Sequence, residues 1–597
     1  MSIAKRLQES TVESLTTLFN QAFTEKDFQV NATKPEFEGD YTVVLFSLVK
    51  SLKLSPDAIG NQLGEHLVKN YPDLFTAYNI IKGFLNLTVS DSYWMEVLQK
   101  NYNDSCFGKK ALNGKKVMVE YSSPNTNKPL HLGHLRNNFL GWSVAEIFKA
   151  NGYDVIKTCI VNDRGIHICK SMIAWQLFAN GATPQSTNTK GDHFVGDYYV
   201  KFNDEYKRQI EELKSNGLTQ ELAEKEAPIM KATQQMLLDW ESGKPEVMEL
   251  WKTMNSWVYE GFDTTYTTIG SDFEKIYYES NTYLLGKKTV EEGLQKNVFY
   301  QEADNSVWID LEKDGLDKKI VQRKDGTSVY ITQDIGLAMQ KYEEYKIDQS
   351  IYVIGDEQNY HMKVLKLICQ KLGLPYADDI YHLSYGMVEL PTGKMKSREG
   401  NVVDADDIVE EMEKVAQEKT EELGKVKDFT TDELTELYHT IGLGALKFFL
   451  LRVDPKKKMI FNPQESIDFH GFTGPFIQFN HARIKSILRK FEVKIQTLGG
   501  FETLQESAFL PLEKELIVAL EQYPVIVEQA CNEMNPSAIA IYVYNIAKTF
   551  SSFYTEHSIA NAETEEKQQL RLQLAAMTAN VIKSGMVLLG VAVPERM

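Results

Sequence analysis

Apolar and polar residues follow two textures along this chain, and the changeover falls just before Val117. Up to about residue 105, helical spacing (Leu7, Val12, Leu15, Leu18, Phe19) mixes with strand-like runs over 41–45 and 83–89. This predicts a small α+β unit closed by a polar linker over 101–110. From Val117 strand-like runs recur over 117–121, 155–161, 350–355 and 380–385, each followed by a helix or a polar loop. That alternation predicts a parallel, doubly wound sheet with a ligand at the carboxyl ends of its strands. Charge-rich helical sequence between about 181 and 262 interrupts the pattern and reads as an insertion, serving solubility or docking. After Asn401 the chain is helical to its end, with an acidic stretch over 404–422 expected to be a solvated helix face. From Phe472 the helices turn aromatic and basic. The expected division is 1–105, 106–400 with the insertion, 401–470 and 471–597, without internal repeats.

The most pointed stretch runs over 120–138. The apolar residues Val117, Met118 and Val119 lead into a polar, proline-containing turn and then a helix, on which Leu135, Phe139, Trp142 and Ala145 share one face. Asn151 and Gly152 supply the stop. The first turn of such a helix offers free N–H groups and the positive pole of its dipole, where a phosphate would sit. His131 and His134 flank Gly133 there and would aim donors at the same place. The alternative, two histidines satisfied within the fold, stays open on this evidence.

Composition narrows the class. Lys and Arg total 65 against 83 Asp and Glu, a net charge of −18, so nucleic acid would have to be met by local patches. One such patch is the run over 476–490, where Arg483, Lys485, Arg489 and Lys490 lie close to Phe479 and His481. Five scattered cysteines form no close pair, which disfavours a zinc knuckle and a disulfide framework and fits a reducing cytoplasm. The amino terminus lacks an apolar signal core and no run of 18 apolar residues occurs, so neither secretion nor membrane spanning is expected.

A second phosphate-handling candidate is the loop over 392–401, where glycines flank Lys394, Lys396 and Arg398. The other reading is a solvated basic hairpin. If the sheet is wound as argued, the loop shares an end of the sheet with the two histidines.

These two segments carry a resemblance. His131-Leu-Gly-His134 is similar to the HIGH signature, and Lys394-Met-Lys-Ser-Arg398 to the KMSKS loop, of class I aminoacyl-tRNA synthetases. Together with the strings over 120–138, 386–403 and 471–483 and the terminal Pro594-Glu-Arg-Met597, they resemble the arginyl-tRNA synthetase family over most of the chain. The implied fold is multidomain, α/β plus all-α. A Rossmann-like catalytic domain is expected between an N-terminal domain that touches the tRNA elbow and a DALR-type anticodon-binding domain. The implied reaction joins L-arginine to tRNA(Arg) through an arginyl-adenylate, with ATP as substrate, Mg2+ accompanying the nucleotide and no protein-bound zinc. A cytoplasmic monomer is the family default.

By the same resemblance His131, His134 and Lys394 would act on the ATP phosphates, with Gly133 against the adenine and Lys396 and Ser397 in the loop. The loop departs from the common pattern, with Lys396 where Ser is usual and Ser397 where the second Lys belongs. Lys128, just upstream of the histidines, is the expected substitute for the missing charge, with Lys396 as rival. A guanidinium pairs best with a carboxylate, and the family match assigns Tyr330 and Asp334, four apart, to it. Asn125 and Gln358 would hold the amino acid's other end, with Ser123, Glu120 and Glu279 in support. Phe84 and Asn86 fall at the family's elbow contact; Phe479, His481 and Arg483 fall in the anticodon-binding part.

Three rivals are weighed. A small-cofactor nucleotidyltransferase with the same histidine motif would not need some 190 helical residues after the lysine loop. Cysteinyl or glutamyl specificity is opposed by Asp334 and by the lack of a cysteine-rich zinc site. A catalytically dead tRNA-binding paralogue should have lost His131, His134 or Lys394, and all three are present.

Overall fold

The computed structural model describes residues 2–597 apart from 35, 284, 328, 390, 392–402, 425–427 and 498–508. At the amino end, four antiparallel strands lie in the order Gln29–Ala32, Tyr41–Val44, Phe84–Val89, Phe75–Ile81. The helices Ile3–Phe19 and Pro56–Asn70 bury Leu7, Leu15, Leu63 and Leu67 in the core of this unit. The first and last strands of the set were not visible as apolar runs, since Gln29–Ala32 has three exposed positions and Phe75–Ile81 two.

The second unit is built on five parallel strands in the order Ile380–Tyr385, Gln349–Gly355, Lys116–Glu120, Asp154–Val161, Lys275–Tyr278. The four expected strands are present, and Lys275–Tyr278 is a fifth, whose four residues are too short to signal themselves. Lys116–Glu120, first in sequence, lies in the centre. The chain adds two strands on one side of it and later returns to add two on the other. Such a reversal opens a crevice beyond the strand ends, the usual place for a ligand in open α/β sheets. A small antiparallel sheet of Tyr300–Gln301, Val307–Ile309 and Lys319–Gln322 precedes the helix Tyr330–Tyr345. The insertion consists of helices from Pro184–Thr187 to Pro245–Ile269.

The helix Leu132–Ala150 carries the histidine turn and is buried on nearly every side, against the sheet and against the helical carboxyl-terminal unit. Ser143 Oγ donates to Leu588 O at 2.6 Å, and Asn151 Nδ2 to Val527 O at 3.1 Å, which fixes the helix from behind. Gly152 at φ 84° ends it, next to Ala111 O. The glycine within the helix has a steric reason. A Cβ on Gly141 would lie 2.4 Å from Cβ of Tyr121, a wholly buried residue directly after the central strand.

Helix propensity alone would have Gly141→Ala stabilise the protein by about 1 kcal/mol. The contact with Tyr121 reverses the sign, and a net loss of about 1–3 kcal/mol is expected in urea unfolding followed by intrinsic fluorescence.

Candidate active site

The residues that follow the five parallel strands gather at one edge of the sheet: 121–125, 162–164, 279, 356–358 and 386–387. The turn after the central strand is tightly specified. Ser122 and Ser123 both have positive φ, 77° and 47°. Asn137, in the second turn of the following helix, accepts from Ser122 N and donates to Val353 O at 2.7 Å and to the Tyr385 hydroxyl at 3.2 Å. Asn138 donates to Ser122 Oγ at 3.1 Å. Asn125 is exposed beside Asn162, whose amide donates to Ser123 O at 3.2 Å.

His131 is the N-cap of the helix, and the two histidines form its capping box. Gly133 N donates to Nδ1 of His131, and His131 N donates to Nδ1 of His134, both at 3.1 Å. The rings lie 3.9 Å apart, centroid to centroid. An Nδ1 that accepts a backbone N–H cannot carry a proton, so each neutral ring must carry it on Nε2. Burial, and after it the Lys128 ammonium, lowers His131 to about 3. Burial, His131 and Lys128 hold His134 well below its ordinary value. Both side chains are therefore neutral donors at physiological pH, suited to an oxygen that gains negative charge.

Two carboxylates belong to elements at the same edge of the sheet. Asp334 stands four residues into the helix Tyr330–Tyr345 and meets Nε2 of His361 at 2.6 Å. Tyr330, at the start of that helix, is 72% exposed. Glu279 follows the edge strand, and burial pushes it up to about 7, Arg164 opposing and Asp163 and Asp334 adding to the rise. Asp163 fixes this corner by accepting from Tyr259 OH (2.8 Å), Ser280 N (2.8 Å) and Ser280 Oγ (2.7 Å). Gln358 is exposed at the end of a short turn after Gln349–Gly355.

The comparisons agree on one family. The model described as tRNA synthetases class I (R), catalytic domain, matches residues 96–462. The DALR anticodon binding domain matches 477–597 and the arginyl tRNA synthetase N terminal domain matches 2–89. The arginine–tRNA ligase of Flavobacterium psychrophilum is 51% identical over 611 residues, with all of both chains covered. That of Bacteroides thetaiotaomicron is 50% identical over 604 residues, again with full coverage of both. The chain belongs to the arginyl-tRNA synthetases. Among solved structures, the arginyl-tRNA synthetase of Thermus thermophilus has the same fold over 100% of both chains at a TM-score of 0.77 and 22% identity. That of Plasmodium falciparum covers 100% of this chain and 99% of its own at 0.76 and 17%.

In this synthetase three of the expected site residues have buried side chains. Glu120, expected in support of the amino-acid pocket, is buried in an ion pair with Lys341, itself wholly buried, whose ammonium lies 4.7 Å from the Tyr352 ring centre. Asn86 is 1% exposed, accepts from Thr42 Oγ1 at 2.6 Å and donates to Asn79 Oδ1 at 2.8 Å. His481 is likewise 1% exposed, its Nδ1 3.0 Å from Pro594 O, and it clamps the terminal segment. The acidic start of the helix Ala405–Leu423 is not a plain solvated face either, since Asp404 and Asp406 meet His193. Lys394, Lys396 and Ser397 lie outside the described residues.

Sequence reasoning passed over Asp163, Arg164 and His361. The first two stand directly after a strand, in Asn162-Asp-Arg-Gly165, just as the histidine turn does, and that position was the available signal.

Because Asn caps helices as well as any residue, His131→Asn should keep the free energy of unfolding within about 0.5 kcal/mol of wild type. It loses the Nε2 donor, so turnover in tRNA charging should fall by about 10²-fold or more. Glu279 gains its charge as pH rises through about 7. Affinity for the cationic substrate should therefore increase across that range, and Glu279→Gln should flatten the profile of KM for arginine against pH.

Proposed function

We propose that the histidine turn and the carboxylate wall are the ATP and arginine halves of one site for ATP-dependent ligation of arginine to tRNA(Arg). Two neutral Nε2–H donors at a helix start, at the same end of the parallel sheet as Asp334 and Glu279, carry this reading. The arginine carboxylate attacks the α-phosphate, an oxygen–phosphorus bond forms, and pyrophosphate leaves as its bond to that phosphorus breaks. The 2′-hydroxyl of the terminal adenosine then attacks the carbonyl carbon, and AMP departs. No covalent enzyme intermediate is needed, so catalysis is positioning and charge stabilisation.

His131 and His134 donate to the phosphates, Gly133 borders the nucleotide and Lys128 supplies the cation beside them, with Lys394, Lys396 and Ser397 contributing from the loop. Magnesium arrives as part of the nucleotide substrate. Asp334 and Tyr330 receive the guanidinium, and His361 orients Asp334 by occupying one of its oxygens. Ser123, Asn125 and Gln358 line the amino-acid end, while Glu279 offers its charge to the ammonium.

For tRNA, the groove of about 370 Å³ lined by Phe479, Arg483, Arg489, Lys490, Tyr554 and Arg596 offers stacking faces and cations together. Arg483 stacks 4.8 Å over the Phe479 ring and Arg596 4.5 Å over Phe429. At the other end, Phe84 packs edge-on against Phe46, which is 53% exposed, 5.5 Å away. The proposed division of labour is elbow contact by 1–105, chemistry by 106–400, a helical connection over 401–470 and anticodon reading by 471–597. Among the described residues no helix is long and apolar enough to cross a membrane. A monomer acting in the cytoplasm completes the proposal.

Charging of purified tRNA with tritiated arginine tests it: no arginyl-tRNA formed with ATP present would refute the activity. In that assay Asp334→Ala should raise KM for arginine at least about 10²-fold, the loss of a charge-assisted pair worth roughly 3 kcal/mol. Unchanged arginine affinity would remove Asp334 from the pocket. Arginine-dependent pyrophosphate exchange is expected to be negligible until tRNA is added.

A further inference from the structure

The insertion meets the histidine turn through a compact knot of charge. Lys190 and His193 stand at the start of the insertion helix Gly191–Ser215, Thr265 in its last helix, and Asp404 and Asp406 at the start of Ala405–Leu423. Lys190 Nζ lies 2.5 Å from Asp406 Oδ2 and also donates to Thr265 Oγ1, which donates to Asp406 Oδ1 at 2.9 Å. His193 Nε2 lies 3.0 Å from Asp406 Oδ2 and 3.3 Å from Asp404 Oδ2. Asp192 is wholly buried, 3.3 Å from Lys190. Asp192, His193 and Asp406 hold ligand atoms within 4.8 Å of one another, as a metal would want, but the Lys190 ammonium already stands against Asp406.

The other side of this knot is the active site. Ala405 N donates to Leu130 O at 3.0 Å, and His131 and Asp404 form an antiparallel bridge. Asp404 also caps its own helix by accepting from Asp406 N at 2.8 Å. Lys128, His131, His193 and Asp404 line one cavity of about 200 Å³. A partly buried ionic cluster such as this is a poor way to add stability, since desolvation offsets much of the attraction, but it is an exacting way to fix geometry.

We propose that Lys190, His193, Thr265 and Asp406 form a positioning latch, through which the insertion holds the backbone of Leu130 and His131 in register for the chemical step. Asp406 and His193 stay oppositely charged across the working pH range: burial raises Asp406, but His193, Lys190 and Thr265 together hold it at about 2. Asp404 and Asp406 raise His193 to about 10 against its burial. The insertion thus acts on His131 without touching substrate. This rests on His131 being the phosphate donor.

The test is a double-mutant cycle read by single-turnover arginylation, with KM values and melting points alongside. Asp406→Asn should lower the rate about tenfold or more while KM for arginine stays within about twofold, because the arginine pocket lies on other elements. In a His131→Asn background the same change should cost less than about twofold. Lys190→Arg should rescue what Lys190→Met loses, and Glu410→Gln, exposed on the same helix, should do nothing. If Asp406→Asn does not fold, Thr265→Val removes one strut without stranding a charge and takes its place in the cycle. Rate losses that multiply in the double variant, or a fall in melting temperature with no fall in rate, would overturn the latch. A normal rate for His131→Asn alone would overturn both the latch and the phosphate-donor reading, whereas an impaired His131→Asn beside a normal Asp406→Asn would sink only the latch.

Discussion

The geometry of the crevice depends on one side-chain amide. Asn137 accepts from the backbone after the central strand and donates to the ends of the two strands on one side of it, at Val353 O and Tyr385 OH. Asn is a poor choice for helix interiors by propensity, and here its amide does what no helix former would do. It fixes the roll of Leu132–Ala150 against three strand ends at once, and the two histidines are set by that roll. Gly141 against Tyr121 sets the distance, as Asn137 sets the rotation.

Electrostatics then divides the site. On the histidine side burial keeps the rings neutral, so they act through N–H dipoles and leave net positive charge to lysines. On the far wall burial works against Glu279, which sits near its midpoint at neutral pH. Glu120, the last residue of the central strand, pairs with Lys341 inside the core.

Much of this was legible in sequence, and the rest was hidden for identifiable reasons. The strand at 117–121 and the helix after it announce themselves by period, as do the strands near 350 and 380. Lys275–Tyr278 does not, because four residues with one buried position carry no period. The histidines were legible as a pair about a glycine at a helix start, though not as a capping box, since His is not a usual N-cap and only the backbone shows which nitrogen is used. The burial of Glu120, Asn86 and His481 was not legible, because it is decided by partners distant in sequence, 221 residues away for Glu120, 113 for His481 and 44 for Asn86. The latch was invisible for the same reason: Lys190 and Asp406 are 216 residues apart.

The central place of Lys116–Glu120 has a consequence during synthesis. Its partner on one side, Asp154–Val161, follows within a few tens of residues, but the contact between Lys116 and Asp348 on the other side spans 232 residues. At about 5–20 residues per second, a ribosome needs roughly 10 to 50 s to supply that stretch. Through that interval the nascent chain carries a histidine turn without its opposite wall and a central strand with one open, apolar edge, the kind of edge that invites pairing with other chains. The period in which this protein most needs shielding is therefore written into the order of its strands.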